Sequence, residues 1–176
     1  MTNENDAAGG MPTDATQAQA QPQLRVIAQY IKDFSFENPK APDTLRAREK
    51  SPSITINVNV GTRQRGEDTE VELKLDCSAV DGTEQVFKLE LSYAGLFRLV
   101  NVKPEHAPIY IMVECPRLLF PFARQIVADT TRNGGFPPLM LDPIDFVALY
   151  QRNAARAQQQ RVQAGGATMP LPSNQN

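Results

Sequence analysis

Apolar and polar residues alternate with a period of two along the middle of the chain. Over 53–60, Ile54, Ile56, Val58 and Val60 alternate with Ser53, Thr55, Asn57 and Asn59. Over 70–79, Val71, Leu73, Leu75, Cys77 and Ala79 alternate with Glu70, Glu72, Lys74, Asp76 and Ser78. Over 86–99, Phe87, Leu89, Leu91, Tyr93, Phe97 and Leu99 share one face, with Lys88, Glu90, Ser92 and Arg98 on the other. Successive side chains of a strand point to opposite faces, so each segment predicts a strand in a sheet with one packed and one wet face. Asp81-Gly82 is expected to supply the positive φ angles of a tight hairpin turn, which makes the three strands an antiparallel meander. Gly95 falls on the apolar face, where a missing side chain admits a close neighbour.

The flanking regions follow other patterns. Leu24, Val26, Ile27, Tyr30, Ile31, Phe34 and Phe36 form a dense apolar stretch of mixed periodicity, extended near its end, before a proline-punctuated loop over 38–43. Residues 105–115 are strand-like by propensity yet run into a helical register, so both readings stay open. Leu118, Leu119, Phe122, Ala123, Ile126 and Val127 form a helical stripe over 117–132, with a stop at Asn133-Gly134-Gly135. Pro121 fits if the regular helix begins close to it and kinks the helix if it lies further inside. Residues 136–141 have room for a short strand only. Asp142-Pro143-Ile144-Asp145 then reads as an N-cap, a proline at the first helical position and an acid three residues after the cap. The helix that follows carries Phe146, Val147, Leu149 and Tyr150 and fades into a polar tail.

Composition sets the limits of these elements. The chain has 176 residues, 41% hydrophobic and 22% charged, which suits one globular domain. Residues 1–23 carry Glu4, Asp6 and Asp14, no Lys or Arg, and too little apolar surface to offset ordering. They are read as a disordered leader, with the domain over 24–152 and a flexible Gln/Ala-rich tail over 153–176. The N-terminus has no basic start followed by an apolar run, and no segment approaches the ~20 apolar residues of a membrane span. A soluble, cytoplasmic protein without direct membrane insertion is expected. The net charge of −2 gives no general attraction to nucleic acid. Arg46, Arg48 and Lys50, and Arg63 and Arg65, do cluster, but in loops beside Asp43, Glu49, Glu67 and Asp68, without an aromatic–basic stripe.

The search for chemistry finds little. His106 is the only histidine, and with Cys115 nine residues later it makes no zinc spacing. Cys77 and Cys115 read as small buried hydrophobes. No glycine-rich phosphate loop precedes a helix. Of the paired carboxylates, Glu70 and Glu72 face water on a strand, and Asp142 and Asp145 cap a helix. No catalytic residue, metal or cofactor is predicted. The unusual feature is apolar: eight phenylalanines are spread over nearly every element, more than a small sheet and two helices can cover. That surplus, with Glu70, Glu72, Asp76 and Glu90 gathered on the wet face, points to binding rather than turnover.

Three blocks give the pattern a family likeness. Tyr30-Ile31-Lys32-Asp33-Phe34-Ser35-Phe36-Glu37-Asn38-Pro39 resembles the opening signature of the SecB protein-export chaperones. Cys115-Pro116-Arg117-Leu118-Leu119-Phe120-Pro121-Phe122-Ala123-Arg124 resembles their Cys-Pro-x-x-Leu-Phe-Pro-Tyr-Ala-Arg block, and Gly135 to Phe146 a third block in the same order. The likeness spans roughly 24–152. It implies an α+β fold, a four-stranded antiparallel sheet with two main helices assembled as a dimer of dimers, and it makes 105–132 helical. It also implies an ATP-independent chaperone that holds unfolded precursor proteins and delivers them to the SecA motor ATPase. By the resemblance, SecA docks on Asp33, Glu37 and Glu90, while Ile54, Ile56, Val58 and Phe87 bind clients. One apolar docking position of the family is Lys88 here, and a family tryptophan ahead of the 53–60 strand falls around Glu49-Lys50. Two alternatives stand beside this reading: a chaperone of this fold dedicated to a toxin–antitoxin pair, and a hotdog-type acyl-thioester hydrolase. The latter wants a catalytic acid, His or Asn near a central helix and a glycine-led helix start, which this chain lacks.

Overall fold

The computed structural model describes residues 21–46 and 50–165. Four strands, β1 (Gln23–Glu37), β2 (Ser53–Arg65), β3 (Asp68–Asp81) and β4 (Glu84–Val100), form one antiparallel sheet in the order β1-β4-β3-β2. β2 to β4 are the three alternating segments, each lengthened at its polar ends because the backbone ladder pairs whatever the side chains are. Their hairpins are two-residue turns, Gly66-Glu67 and Gly82-Thr83, closed by the pairs Arg65/Asp68 and Asp81/Glu84. The glycines have φ of 65° and 61°, as a turn with glycine at its first central position requires. Gly82 alone takes the positive φ in the second turn, and Asp81 ends its strand instead.

β1 explains its own mixed periodicity. Its pairing with β4 slips between Val26 and Ala28 and again between Ile31 and Asp33, leaving Ile27 and Lys32 as bulge residues. Each bulge inserts one residue and reverses the alternation after it. The residues in register with the core-facing positions of β4 are therefore Leu24, Val26, Gln29, Ile31, Phe34 and Phe36. That spacing matches neither a period of two nor a helical period. Of the expected leader, residues 1–20 lie outside the described residues, and Gln23 already opens this strand.

The second bulge is pinned by charge. Lys32 Nζ donates to Glu70 Oε1 at 2.7 Å and to Glu72 Oε2 at 3.0 Å, both on β3, reaching past β4. Tyr30 Oη donates to Glu70 at 3.2 Å, Arg65 Nε donates to its other oxygen at 3.0 Å, and Ser92 donates to Glu72. Glu70 is thus an acid on the wet face whose side chain is only 4% exposed, its cover made of its own partners. The hydrogen bond from Lys32, then those from Arg65 and Tyr30, hold its carboxyl at about 2 against an ordinary 4.5.

One face of the sheet carries the helices. α1 (Ala107–Ile109), a wider π-type turn (Tyr110–Glu114) and α2 (Cys115–Asn133) follow without a break. Helix overrides strand propensity over 105–115 because Val113 and Cys115 become fully buried in the core when this segment coils. The wide turn, closed by Cys115 N–H to the Tyr110 carbonyl, lies immediately before Pro116, which has no N–H to continue the ladder. Pro121 lies inside α2 rather than at its start. α2 ends as expected: Gly135 has φ of 87°, and the N–H groups of Gly135 and Phe136 return to the Arg132 and Thr131 carbonyls.

The expected short strand over 136–141 does not form. Pro137 and Pro138 offer no ladder donors, and the Leu139 N–H turns to the buried Thr131 Oγ1 at 2.9 Å. α3 (Phe146–Gly165) is capped by Asp145, not Asp142: Asp145 Oδ1 accepts the Ala148 N–H at 3.0 Å, and its carbonyl accepts that of Leu149. α3 also runs well past 152, so the first part of the expected flexible tail is helical. Gln, Ala and Arg are good helix formers, and no glycine or proline interrupts them before Gly165. Residues 166–176 lie outside the described residues.

The core lies between the sheet and α2, with Val71, Leu73, Leu75, Leu89 and Phe97 against Val113, Leu119, Ala123 and Val127, closed by Leu141 and Phe146. Gly95 is where the layers come closest: a Cβ there would stand 2.6 Å from the Phe97 ring and 2.9 Å from Leu119 Cδ2.

Both features give tests. Phe97 and Leu119 are buried and have nowhere to go, so Gly95→Ala should cost about 1–3 kcal/mol in a urea-unfolding measurement. Because the Glu70 pKa is lowered on folding, its stabilisation is complete above its ordinary value and is lost as pH falls from 4.5 toward about 2. Unfolding free energies measured down this pH range should fall less steeply for Glu70→Gln than for the wild type.

Candidate functional site: two apolar grooves and an acidic face

The bulge at Lys32 decides which side of the sheet the β1 acids reach. After it, Asp33, Ser35 and Glu37 stand in register with Ser92, Glu90 and Lys88 on the wet face. Asp33 and Glu37 therefore flank the Glu90 position diagonally, and Asp76 of β3 lies directly opposite Glu90 on its other side. Alternation had placed Glu90 on the wet face and resemblance alone had joined Asp33 and Glu37 to it; the register brings all three to one patch. The patch is partly answered from within. Lys88 Nζ lies 2.5 Å from Glu90 Oε1, and this contact raises the lysine pKa. Asp33 Oδ1 accepts the Phe34 N–H at 3.0 Å.

Ile54, Ile56 and Val58 form a stripe on the helix-side face of edge strand β2, but two different roofs divide it. Ile54, Ala79 and Phe87 lie in one row across β2, β3 and β4. Ile54 and Phe87 share a groove of about 510 Å³ walled by Leu45 and by the 135–139 segment that follows α2. Phe87 is only 4% exposed, its ring 5.9 Å from that of Phe36 and 5.1 Å from that of Phe136, so it forms the floor while Ile54, 46% exposed, forms the lip. Ile56 and Val58, with Asn57 and Asn59, line a second, mixed polar and apolar groove of about 290 Å³ against Ile144, Leu149, Arg152, Asn153 and Arg156.

The wall residues escaped the sequence reading. Phe136, Leu139 and Ile144 had been noted within the third family-like block and Leu149 in the last helix, but none of them, nor Leu45, as a groove wall. What positions them is the end of α2. Gly134 lets the Phe36 ring approach, since a Cβ there would sit 2.5 Å from it, and Gly135 does the same for Leu45. Thr131 Oγ1 then holds Leu139.

Other chemistry is sparse among the described residues. No three His, Cys, Asp or Glu side chains are placed to hold a metal. Cys77 and Cys115 are unpaired and buried, and burial pushes their thiols up to about 11 and about 12, so they pack as hydrophobes. His106, just before α1, lines neither groove. No described helix is long and apolar enough to cross a membrane.

Comparison with known proteins gives this arrangement a context. The sequence model of the family described as "Preprotein translocase subunit SecB" matches residues 17–158. The chain is 53% identical over 161 residues to the protein-export protein SecB of Rhodopseudomonas palustris (strain HaA2), covering 91% of this chain and 98% of that protein. It is 54% identical over 157 residues to the protein-export protein SecB of Afipia carboxidovorans, covering 86% and 98%. Among solved structures, a SecB-like chaperone of Mycobacterium tuberculosis in complex with a ChAD peptide from an antitoxin shares the fold, with a TM-score of 0.57 at 15% identity over 69% of this chain and 90% of that one. With the match running through the sheet and both main helices, the chain belongs to the SecB family of protein-export chaperones.

Proposed function

We propose that this chain holds unfolded precursor proteins in a translocation-competent state in the cytoplasm, without ATP, and delivers them to the SecA motor ATPase. The observation that carries the reading is the division of one sheet into two surfaces: on the helix side of β2, an apolar groove floored by Phe87 and a mixed one along Val58, and on the opposite face the patch of Asp33, Glu37 and Glu90. Clients occupy the grooves of Ile54, Ile56 and Val58, with Phe87 as the floor of the larger one. SecA meets the acids. Relatives more than half identical carry protein-export names, which favours general export over a single dedicated client.

Holding needs no turnover. A groove that binds exposed apolar chain withdraws the unfolded client from folding by mass action. Each contact can be weak, because a long client that spans several grooves gains roughly 10²–10⁴ in avidity. This favours several copies acting together, and the surface supports a homotetramer built as a dimer of dimers. Val26, Ile27, Ile31 and Phe34 are exposed on edge strand β1, and Leu118 and Phe122 are exposed on α2, although the sequence pattern had placed both in the buried helical stripe. Exposed apolar residues on both an edge strand and a helix suit contact with further subunits.

Sedimentation equilibrium should give a particle of four times the 19.5 kDa chain, and a stable monomer at micromolar concentration would end the tetramer reading. The two surfaces are separable by substitution. Glu90→Lys should weaken SecA binding, most clearly at low salt, and leave retention of an unfolded precursor nearly intact. Ile54→Ser with Ile56→Ser, at exposed positions, should do the reverse. Retention is read as slowed refolding of the precursor without nucleotide, and equal loss of both partners in both well-folded variants would refute the division. Phe87→Ala is the wrong probe for binding, since removing a buried ring should cost ~3–5 kcal/mol of stability first.

A further inference from the structure

We infer that Lys88 is a tethered competitor for SecA, a cation that occupies Glu90 until a basic group of the motor displaces it and that thereby sets how fast and how tightly SecA docks. The inference rests on the acidic patch being the SecA site. Four acids make up that patch: Asp33 and Glu37 on β1, Glu90 on β4 and Asp76 on β3. Lys88 stands among them, directly opposite Glu37 and with its ammonium 2.5 Å from Glu90 Oε1. The neighbouring lysines are engaged elsewhere. Lys32 holds Glu70 and Glu72, and Lys74 lies 3.7 Å from Glu72. Among the described residues, no other cation pairs with any of the four acids.

The pair is open to exchange. Its side chains are 43% and 44% exposed, and an exposed pair of this kind is weak. It is also always at hand, because a spacing of two residues along one strand face keeps the ammonium beside its carboxylate at high effective concentration. A cation arriving from solution therefore replaces a contact instead of simply making one. Lys88 acts on the rest of the patch too. Its contact with Glu90, and then the charges of Glu37 and Asp76, favour its protonated form. By the same Coulomb terms, its ammonium weakens the field that these acids present to an incoming basic surface. Such a field mainly steers encounter, so its effect falls on the association rate.

The test uses the full chain and purified SecA, with association and dissociation rates measured at low and at physiological salt. Lys88→Gln and Lys88→Thr remove the competing charge at an exposed position where the fold does not depend on it. Each should tighten SecA binding about 2- to 5-fold at low salt, chiefly through faster association, and the gain should shrink at physiological salt. Lys88→Arg keeps the cation and should bind SecA as the wild type does. All three should slow refolding of an unfolded precursor as well as the wild type, since Lys88 lines neither groove. Unchanged or weaker SecA binding by the two neutral variants, or tighter binding by Lys88→Arg as well, overturns this inference. The docking patch still stands in that case if Glu90→Lys weakens SecA binding. If Glu90→Lys leaves SecA binding intact, the patch is not the docking site and the functional reading itself fails.

Discussion

The ammonium of Lys32 sits between two carboxylates, Glu70 at 2.7 Å and Glu72 at 3.0 Å, on a strand that is not its ladder neighbour. Ladder hydrogen bonds tie β1 only to β4, whereas these contacts tie it to β3 as well. They do so at the residue where the register slips. Without the slip, the alternation set by Tyr30 and Ile31 would send Asp33 toward the core and Phe34 toward water. With it, Phe34 and Phe36 turn to the helix side and Asp33 and Glu37 to the wet face. A buried carboxylate at the sheet surface is costly unless fully satisfied, and Glu70 is satisfied by three donors that all belong to this junction.

The consequence reaches the groove floored by Phe87. Phe36, turned inward by the bulge, packs its ring on Phe87 and on the space left by Gly134. Phe87 in turn meets Phe136, which stands in the groove wall just beyond the Gly135 turn. A chain of three rings thus links the edge strand to the segment after α2. The wall has no ladder of its own, since it is neither strand nor helix. It is held by that chain, by the two glycines and by Thr131, which takes the Leu139 N–H. Two of the three family-like blocks, around 30–39 and 135–146, have this physical content.

Regular alternation made β2, β3 and β4 readable, and with them Gly95 as a point of close approach. β1 was not readable, because each bulge shifts the phase and the summed pattern fits no template. The 105–115 segment failed for another reason: Ile109, Ile111 and Val113 favour a strand locally, and only the gain from burying Val113 and Cys115 decides for helix. The Asp142-Pro143 cap was a plausible motif in the wrong place, because Asp145 lies three residues from an N–H that it can reach. For the site, the stripe of Ile54, Ile56 and Val58 was visible, but its division was not, since the walls come from residues far along the chain. The patch of Asp33, Glu37 and Glu90 came from likeness, and only the register makes it a patch.

A sheet this thin imposes a further constraint. Phe87 floors a groove while Lys88, its neighbour in the chain, pairs with Glu90 on the other face. From Phe87 to Leu91 the side chains of β4 alternate between the helix side and the acidic face, whereas Val86 and Phe87, at a bulge opposite Ala79 and Val80, both line the groove. On the function proposed above, the two tasks would share one backbone without sharing a side chain, which is what the paired substitutions test. The same economy makes register the quantity under strictest control: a one-residue slip in β4 would carry Lys88 and Glu90 under the helices and bring Phe87 and Leu89 to the acidic face. Composition would be untouched and both surfaces lost. The short glycine turns at Gly66 and Gly82, at opposite ends of β3, and the Lys32 junction within β1 oppose such a slip.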